Sequence, residues 1–378
     1  MSTAIIDARG WQSSFDLKTG EKVQPESDAQ RIVKEVLQKH PYPGDMDKAS
    51  NRWVSDTALE LIENYTPRFV FLSYAAQYFS LRYNPMTDEN RSKLISEALN
   101  EAKRFIELSG YTPIIVGTGD MTPLIGNIDI TRLEGLALCT NWSARYAGLY
   151  EPSDKDMTLL NSHPFIEKII PREEIVRLFN GTPEQAQRVP EFLMVARKGY
   201  AFKALSPTMK VPVMTPSDCI TVPVFIPGSD INDITGIRDE LEKLTAKKNI
   251  ALIILEGAGV NDFPLPYRSC INGKEWFTYE TGDAQYLTIS SGEHRFFDYP
   301  KGYKYYDETD VNNDFPFSGY FKSIPVNTFA SSFPGRSIAV GNKSMFMHMV
   351  TGADICIECF SRNMFNQGTM AVIHRDDK

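Results

Sequence analysis

The stretch from residue 67 to residue 123 constrains the fold most, because two apolar strand patterns enclose a long amphipathic helix pattern in it. Residues 67–74 (Pro-Arg-Phe-Val-Phe-Leu-Ser-Tyr) predict a strand, and residues 75–77 predict a turn after it. Residues 87–109 place apolar side chains at helical spacing, and residues 113–116 return to an apolar strand. This alternation of strands and helices predicts a largely parallel sheet covered by helices.

The same alternation continues along the chain and predicts a single α/β domain. Residues 250–255 (Ile-Ala-Leu-Ile-Ile-Leu) are typical of a strand that is buried on both faces. Residues 261–324 differ, since they are rich in Tyr, Phe, Gly, Asp and Asn and show no clear helical period. We interpret them as an irregular or antiparallel insertion over the carboxyl edge of the sheet, with residues 1–260 and 325–378 forming the core. Further helices are predicted at residues 28–38, 53–64, 172–179 and 233–247, with a helix start at Thr182, and further strands at residues 5–6 and 191–196.

Charge and cysteine content narrow the classes of partner and compartment. The net charge of −8 argues against nucleic acid as the main partner. No apolar run approaches the roughly 18 residues of a membrane span, and residues 1–7 lack the pattern of a secretory signal. Five cysteines, an odd number, fit a reducing cytosol and predict a cytoplasmic protein. Cys356 and Cys359 form a lone C-x-x-C, for which buried packing is the simpler interpretation and a zinc or redox role the alternative.

Three segments resemble motifs of one known family. Residues 250–257 form an apolar strand that ends in Glu-Gly where the family has Asp-Gly, and residues 341–344 (Gly-Asn-Lys-Ser) resemble a Gly-Asn-Ser nucleophile loop with one residue inserted. Residues 190–202 resemble a strand and turn of phosphodiesterase-type members. Together they are similar to the alkaline-phosphatase superfamily, of the phosphodiesterase and cofactor-independent phosphoglycerate mutase type. Because the later half of the family pattern, about residues 60–228, comes first, the resemblance implies a circularly permuted alkaline-phosphatase-like fold.

The resemblance also implies a site for two metal ions that ionise a nucleophile, but most of the metal ligands are missing. Tyr78 and Arg82 stand where the family has an Asp and a His, and Thr118 and Gly119 stand where it has an adjacent Asp-His pair. Glu256 replaces the strand-end Asp, and its longer side chain shifts the carboxylate. No cofactor is therefore expected, and a divalent metal, zinc or manganese, would require a rebuilt site.

The candidate site residues follow from these matches and from positions after strands. By the resemblance, Ser344 would be the nucleophile and His348 the histidine that trails its loop, while Asp120 comes one step after the matched pair. Simpler alternatives are an unactivated serine for Ser344, a core histidine for His348 and a turn residue for Asp120. The candidates are Ser344, Glu256 and Asp120 as catalytic residues, and Arg82, Thr118, His348 and His294 as ligand-binding residues.

Three hypotheses about function remain open, and we prefer the first. In the first, metal-dependent phosphoryl transfer is lost and the protein is a non-catalytic subunit or binding protein, with a protein partner or as a homo-oligomer. In the second, a rebuilt site makes it a hydrolase or transferase that acts on a small phosphorylated molecule. In the third, it is an unrelated α/β binding or structural protein, which would be favoured if the strands near residues 69, 114 and 250 were not neighbours.

Overall fold

The protein is an α/β structure of twenty strands and eleven helices in the part of the chain that the structure describes. A computed structural model describes residues 2–8, 11–17, 20–24, 27–45, 47–139, 145–187, 189–203, 212–217, 220–295, 328–343, 347–360 and 368–375. The strands are β1 Thr3–Ala8, β2 Trp11–Asp16, β3 Phe69–Tyr74, β4 Thr112–Gly117, β5 Met121–Pro123, β6 Gly126–Ile128, β7 Leu136–Cys139, β8 Tyr146–Tyr150, β9 Ile166–Pro171, β10 Phe192–Ala196, β11 Tyr200–Phe202, β12 Met214–Pro216, β13 Thr221–Phe225, β14 Ile250–Leu255, β15 Arg268–Ile271, β16 Gly273–Lys274, β17 Phe277–Thr278, β18 Ser337–Gly341, β19 Ile355–Phe360 and β20 Gly368–Ile373. The helices are α1 Asp28–Lys39, α2 Ser50–Tyr65, α3 Ala76–Tyr83, α4 Asp88–Ser109, α5 Asp154–Asn161, α6 Arg172–Leu178, α7 Pro183–Ala186, α8 Gly236–Thr245, α9 Asp283–Ser291, α10 Phe329–Ser332 and α11 Met347–Thr351.

One ten-stranded sheet organises the molecule, in the order β15-β13-β4-β14-β3-β18-β19-β20-β1-β2. Its five central strands, from β4 to β19 in that order, are parallel to one another. The strands on both flanks pair antiparallel. The predicted α/β class is confirmed, and a parallel sheet is right for the centre and wrong for the flanks. The strand β14 lies directly between β3 and β4. The unrelated-protein hypothesis would have been favoured by the opposite result, in which these strands were not neighbours.

Both faces of the sheet are covered, which explains the uninterrupted apolar runs of its central strands. All six residues of β3 and of β14 are buried. Along β3, Val70 and Leu72 pack into a core that α1, α2 and α4 cover. The alternate residues Phe69 and Phe71 pack into a second core that α8, α9 and α11 cover. Because successive side chains of a strand point to opposite faces, a strand between two helix layers needs apolar residues at every position.

Capping residues in the sequence correctly predicted ends of the helices α4 and α7. Thr87 accepts the N–H of Asn90 at the start of α4, and Gly110 ends that helix with φ of +70°, which favours glycine. Thr182 caps α7 with Pro183 in its first turn, as predicted. No helix in the described ranges is long and apolar enough to cross a lipid bilayer.

One local prediction is wrong and another is right only in part. Residues 75–77 are not a turn, because α3 begins at Ala76. The segment 261–324 was expected to be irregular or antiparallel. In its described part β15 does pair antiparallel with β13, and β16 with β17, but the helix α9 was not predicted. Gln285, Thr288 and Ser291 of α9 are buried along with its apolar residues, so the helix has no polar face and its sequence lacks an amphipathic period.

A smaller four-stranded antiparallel sheet, in the order β7-β8-β10-β9, was not expected beyond the strand β10. It encloses a separate core around Leu149, Met194 and Phe202. Its strands are four to six residues long, and hairpin pairing of such short strands leaves a weak periodic signal.

A chain of buried side-chain amides ties together the carboxyl ends of the central strands. The side-chain oxygen of Asn342, after β18, accepts the N–H of Ala75 at 2.8 Å, and its amide nitrogen lies 3.1 Å from Oδ1 of Asn51. Asn51 donates to Gln77 at 2.9 Å, and Gln77 donates to the backbone oxygen of Glu256 at 2.9 Å. The ends of β18, β3 and β14 are thereby fixed to one another through α2 and α3.

Replacement of Asn342 by alanine should lower the free energy of unfolding by about 2–3 kcal/mol, because buried donors and acceptors would lose their partners. The measurement is urea unfolding followed by circular dichroism. Asn64→Ala is the matched control, since Asn64 is exposed and bonds only within its own helix, to Glu60, and a change within about 0.5 kcal/mol is expected there. Equal effects of the two substitutions would contradict the role of the amide chain.

Candidate functional site

The carboxyl ends of the parallel strands meet at one edge of the sheet, and polar residues that follow them lie in contact. Thr118 follows β4 and Glu256 follows β14. The hydroxyl of Thr118 accepts the N–H of Gly257 at 2.9 Å and lies 2.7 Å from the hydroxyl of Thr281. Gly257 has φ of +74°, a conformation that residues with side chains rarely adopt, and this conformation accompanies its bond to Thr118. The predicted residues Thr118 and Glu256 are therefore brought together.

Glu256 is the centre of this region and is completely buried. Its Oε1 accepts hydrogen bonds from Ser73 at 2.9 Å and from the hydroxyl of Tyr286, and its Oε2 forms an ion pair with the ammonium group of Lys343. Burial, followed by the negative charge of Glu256, raises the pKa of Tyr286 well above its ordinary value, so this hydroxyl keeps its proton and donates it. A buried carboxylate needs such partners to offset its desolvation.

Lys343 makes two further contacts at this edge of the sheet. Its nitrogen lies 4.1 Å from the centroid of the Tyr78 ring, a cation–π contact, and 3.3 Å from the carbonyl oxygen of Thr281. Arg82, one turn after Tyr78 on α3, donates from Nη1 to the Tyr78 hydroxyl at 2.8 Å and is 2 % exposed. The candidate ligand-binding residue Arg82 therefore lies buried beside this cluster.

Two further residues of the cluster, Glu280 and Arg145, were not singled out as a pair by the sequence. Glu280 is half-buried and its Oε1 accepts the backbone N–H of Arg145 at 2.7 Å. Burial raises the pKa of Glu280 above its ordinary value, while the bond from Arg145 and the charges of Arg82 and Lys343 act in the opposite direction. The guanidinium of Arg145 is bound to Thr278 at 2.9 Å. Glu280 lies 135 positions from Arg145 along the chain, and a local sequence pattern cannot predict a contact over such a separation.

The other candidates lie in different surroundings. Ser344 is outside the described residues. The side chain of Asp120 accepts a hydrogen bond from Asn261 at 3.1 Å and packs so closely on Gly259 that a Cβ there would lie 1.8 Å from Oδ1. His294 lies against Asp233 at 3.7 Å in the described part of the insertion. In the described part of the chain, Asp120 and His294 thus contact loop residues and do not contact the Glu256 carboxylate.

His348 is buried in α11 and bonded to another acidic residue of the core. Its Nδ1 lies 2.6 Å from Oε1 of Glu358, and its backbone N–H donates to Oε2 at 3.1 Å. Burial lowers the pKa of His348 to about 3 and raises the pKa of Glu358 well above its ordinary value. Burial thus favours the uncharged forms of both groups, the neutral imidazole and the protonated carboxyl group.

The side chains around Glu256 do not fit a two-metal centre. The Lys343 ammonium lies against the carboxylate that a metal ion would need, and the neighbouring groups at the matched positions are Tyr78, Arg82 and Thr118. Within the described ranges, no three His, Cys, Asp or Glu side chains are placed to hold a metal ion together. A centre of two divalent cations needs several such anionic or imidazole ligands.

The two cysteines of the C-x-x-C contact different residues. Cys356 faces Glu358, with Sγ 3.7 Å from Oε2, and Cys359 faces Asp45, with Sγ 2.7 Å from Oδ1. Both are buried on β19, where residues three apart point to opposite faces. Packing of separate thiols is the arrangement that the structure shows.

Comparison with models of known families and with curated protein sequences gives no match to this chain. The chemistry of the site is a buried carboxylate held by a lysine, with Arg82 and Arg145 close by and a second acidic side chain, Glu280, that is half-buried.

Lys343→Met should lower the free energy of unfolding by about 3–5 kcal/mol, because Glu256 would remain as a buried charge without its cation. Glu256→Gln alone should also destabilise, since it leaves the lysine buried without its partner. The double variant should recover much of the loss, and urea unfolding of all four proteins gives the interaction energy. Additive losses in the double variant would show that the two groups do not interact.

The buried His374 predicts a loss of stability in acid. Burial lowers its pKa to about 3, so at this residue the unfolded chain binds a proton that the folded chain does not bind between about pH 3 and 6.5. Its contribution is complete above about pH 6.5 and falls as pH decreases, by up to about 1.4 kcal/mol per pH unit, whereas the raised pKa of Glu358 opposes the same effect at His348. Unfolding free energies at pH 6.5 and 4.5 should show the drop, and His374→Asn should reduce it. An equal drop in that variant would contradict the assignment.

Proposed function

We propose that the protein is a non-catalytic binding protein or subunit built on a circularly permuted core of alkaline-phosphatase type. The observation that carries the proposal is the ion pair between Lys343 and Glu256. In the resemblance, the strand-end carboxylate binds a metal ion. Here a side chain of the same protein supplies the positive charge: the carboxylate accepts two hydrogen bonds on Oε1 and forms the ion pair with Lys343 through Oε2.

The convergence of the matched positions supports the family part of the proposal. The positions matched to metal ligands lie on three segments, Tyr78 and Arg82 on α3, Thr118 after β4 and Glu256 after β14, and Lys343 was matched to the nucleophile loop. Contacts join them into one cluster: Arg82 to Tyr78, Tyr78 to Lys343, Lys343 to Glu256, and Gly257 to Thr118. Unrelated segments would have no reason to place these particular positions together, beyond the general meeting of parallel strand ends.

The charge at the site also explains why phosphoryl transfer of the two-metal kind is not part of the proposal. Metal ions lower the pKa of a nucleophile by withdrawing electrons from it, and they bridge phosphoryl oxygens. The Lys343 ammonium carries one charge and has no free orbital to coordinate a hydroxyl group. Glu256 cannot act as a free general base while Ser73, Tyr286 and Lys343 occupy its oxygens.

One observation favours the second function, a hydrolase or transferase of a small phosphorylated molecule with a rebuilt site. Glu280 is a half-buried acid whose pKa is raised by burial, and Arg82 and Lys343 lie near it. An acid with a raised pKa, beside cations that bind an anion, is the arrangement of general acid catalysis. Turnover of a chromogenic phosphate ester that disappears in Glu280→Gln would establish this function instead.

The remaining features of the proposal follow from the sequence. We propose one domain in which residues 261–324 form an insertion, and its described part contributes Glu280, Thr281 and Tyr286 to the strand-end cluster. The protein partner or second copy that a non-catalytic subunit needs, and the cytoplasmic setting, stay predictions.

The protein as purified should contain less than about 0.1 equivalent of zinc or manganese, because Lys343 holds the carboxylate that a metal would need. Elemental mass spectrometry measures the content, and the unfolding midpoint should not move on treatment with a chelator or with either metal ion. About two equivalents of metal, or a midpoint that rises with metal, would refute the proposal and restore two-metal phosphoryl transfer.

A further inference from the structure

The strand β7 forms one edge of the small antiparallel sheet, and in the described part of the chain it has a strand on one side only. The pairing of β8 with β10 shows where its backbone groups point, because the N–H of Ala196 donates to the carbonyl oxygen of Arg145 at 2.8 Å. Successive residues of an inner antiparallel strand bond to opposite neighbours, so Gly148 and Tyr150 of β8 bond to β7. Ala137, which lies between their partners, therefore directs its N–H and its carbonyl oxygen outwards.

Two leucines on one face of β7 are exposed. Leu136 is 59 % and Leu138 is 52 % exposed, whereas Ala137 between them packs into the core on the other face. On the side of the leucines, Ile175 of α6 packs against β9 and β10, and among the described residues this cluster does not extend to β7. The residue opposite Leu138 on β8 is Gly148, which has no side chain to cover it. Both leucines therefore remain in contact with solvent.

The other edge of the same sheet has features that oppose pairing with a further strand. The strand β9 carries the exposed residues Glu167, Lys168 and Pro171, and its pairing with β10 contains a register shift. Charges, prolines and bulges on edge strands are the usual protection against edge-to-edge association. The strand β7 reads Leu-Ala-Leu-Cys, without a charge or a proline, and its pairing with β8 is regular. One edge of the sheet is thus protected and the other can pair.

We propose that β7 is the interface between two copies of this chain, which pair antiparallel about a two-fold axis at Ala137. The inference rests on the proposed function, because it supplies the second copy that a non-catalytic subunit is predicted to need. A sheet edge with outward N–H and carbonyl groups binds an extended strand through main-chain hydrogen bonds. The pairing joins the small sheets of the two copies into one continuous sheet.

The strand is complementary to a second copy of itself in this register. Ala137 and its copy exchange two N–H···O bonds, since both direct these groups outwards. Leu136 of one copy then lies opposite Leu138 of the other in non-hydrogen-bonded pairs, where side chains are closest. All four leucines lie on the same face of the joined sheet and cover one another. Because the four residues of β7 carry no charge, the two-fold contact brings no like charges together within the paired strands.

The size of this contact sets its strength. Four leucines and a pair of four-residue strands bury on the order of 500 Å² in all, less than the about 1,200 Å² at which stable complexes begin. We therefore expect a weak, reversible dimer with a Kd on the order of 10–100 μM.

The test is sedimentation equilibrium of the full-length protein from about 5 to 500 μM, over which the wild type should change from mostly monomer to mostly dimer. Leu138→Lys places an ammonium group against the leucines of the other copy and should raise the Kd at least about tenfold. Ala137→Pro removes the outward N–H and should have the same effect. The monomer does not use this N–H, so the proline is compatible with its fold, which circular dichroism checks.

The matched control is Leu108→Lys. Leu108 is 63 % exposed and lies on α4, which covers the main sheet. The substitution makes the same change of an exposed leucine to a lysine outside the interface, so the Kd should stay within about twofold of the wild type.

Wild-type protein that remains monomeric at about 500 μM would overturn the inference. A dimer that Leu138→Lys and Ala137→Pro both leave unchanged would overturn it as well, because the copies would then meet elsewhere. Weakening by Leu138→Lys alone would show that the leucines touch without strand pairing, which also contradicts the proposed interface.

Metal content of the same sample separates this inference from the proposed function. Metal-free protein that stays monomeric refutes only the β7 interface. About two equivalents of zinc or manganese refute the proposed function itself, in a monomer and in a dimer alike.

Discussion

The buried carboxylate of Glu256 is the group on which the arrangement of the strand ends depends. A charge that is fully removed from water has to be matched by donors on all sides, and here the donors come from three other elements. Ser73 belongs to β3, Tyr286 to α9, and Lys343 to the loop after β18. Each of these elements has to stay in place for Glu256 to keep its hydrogen bonds and its ion pair. One side chain therefore fixes the positions of four segments that are distant in sequence.

The same end of the sheet shows two different solutions to the burial of an acidic group. Glu256 forms an ion pair with Lys343, and this pairing offsets part of the desolvation cost of the two groups. Glu358 has a histidine as its neighbour instead, and burial raises the pKa of the carboxyl group and lowers that of the imidazole, which favours the uncharged form of each. The difference lies in the partner, since an ammonium group releases its proton far less readily than an imidazole.

Sequence reasoning located the elements whose pattern is local and failed where the pattern depends on distant contacts. The strands β3, β4 and β14 and the helices α1, α2 and α4 follow from continuous apolar runs and amphipathic spacing with caps. The helix α9 was not predicted because it is buried on most sides, so its sequence has no amphipathic period. Ala76 was assigned to a turn because the start of α3 has no side-chain cap. At the site, Thr118, Glu256 and Arg82 could be named from the resemblance. The role of Lys343 could not, because a lysine inserted in a loop has no meaning until Glu256 is seen beside it.

The first strand of the chain lies between the hairpin strand that follows it and β20, with Thr3 paired to Ile373. The large sheet therefore joins segments that are distant along the sequence. The strands β1 and β2 can pair as a hairpin, but an isolated hairpin is only marginally stable. The hairpin has no strand on the other side of β1 until β20 pairs with it. Contacts of such high sequence separation slow the search for the native topology. A strand edge therefore stays exposed during folding until β20 docks, the interval in which chaperones that shield such edges would matter most.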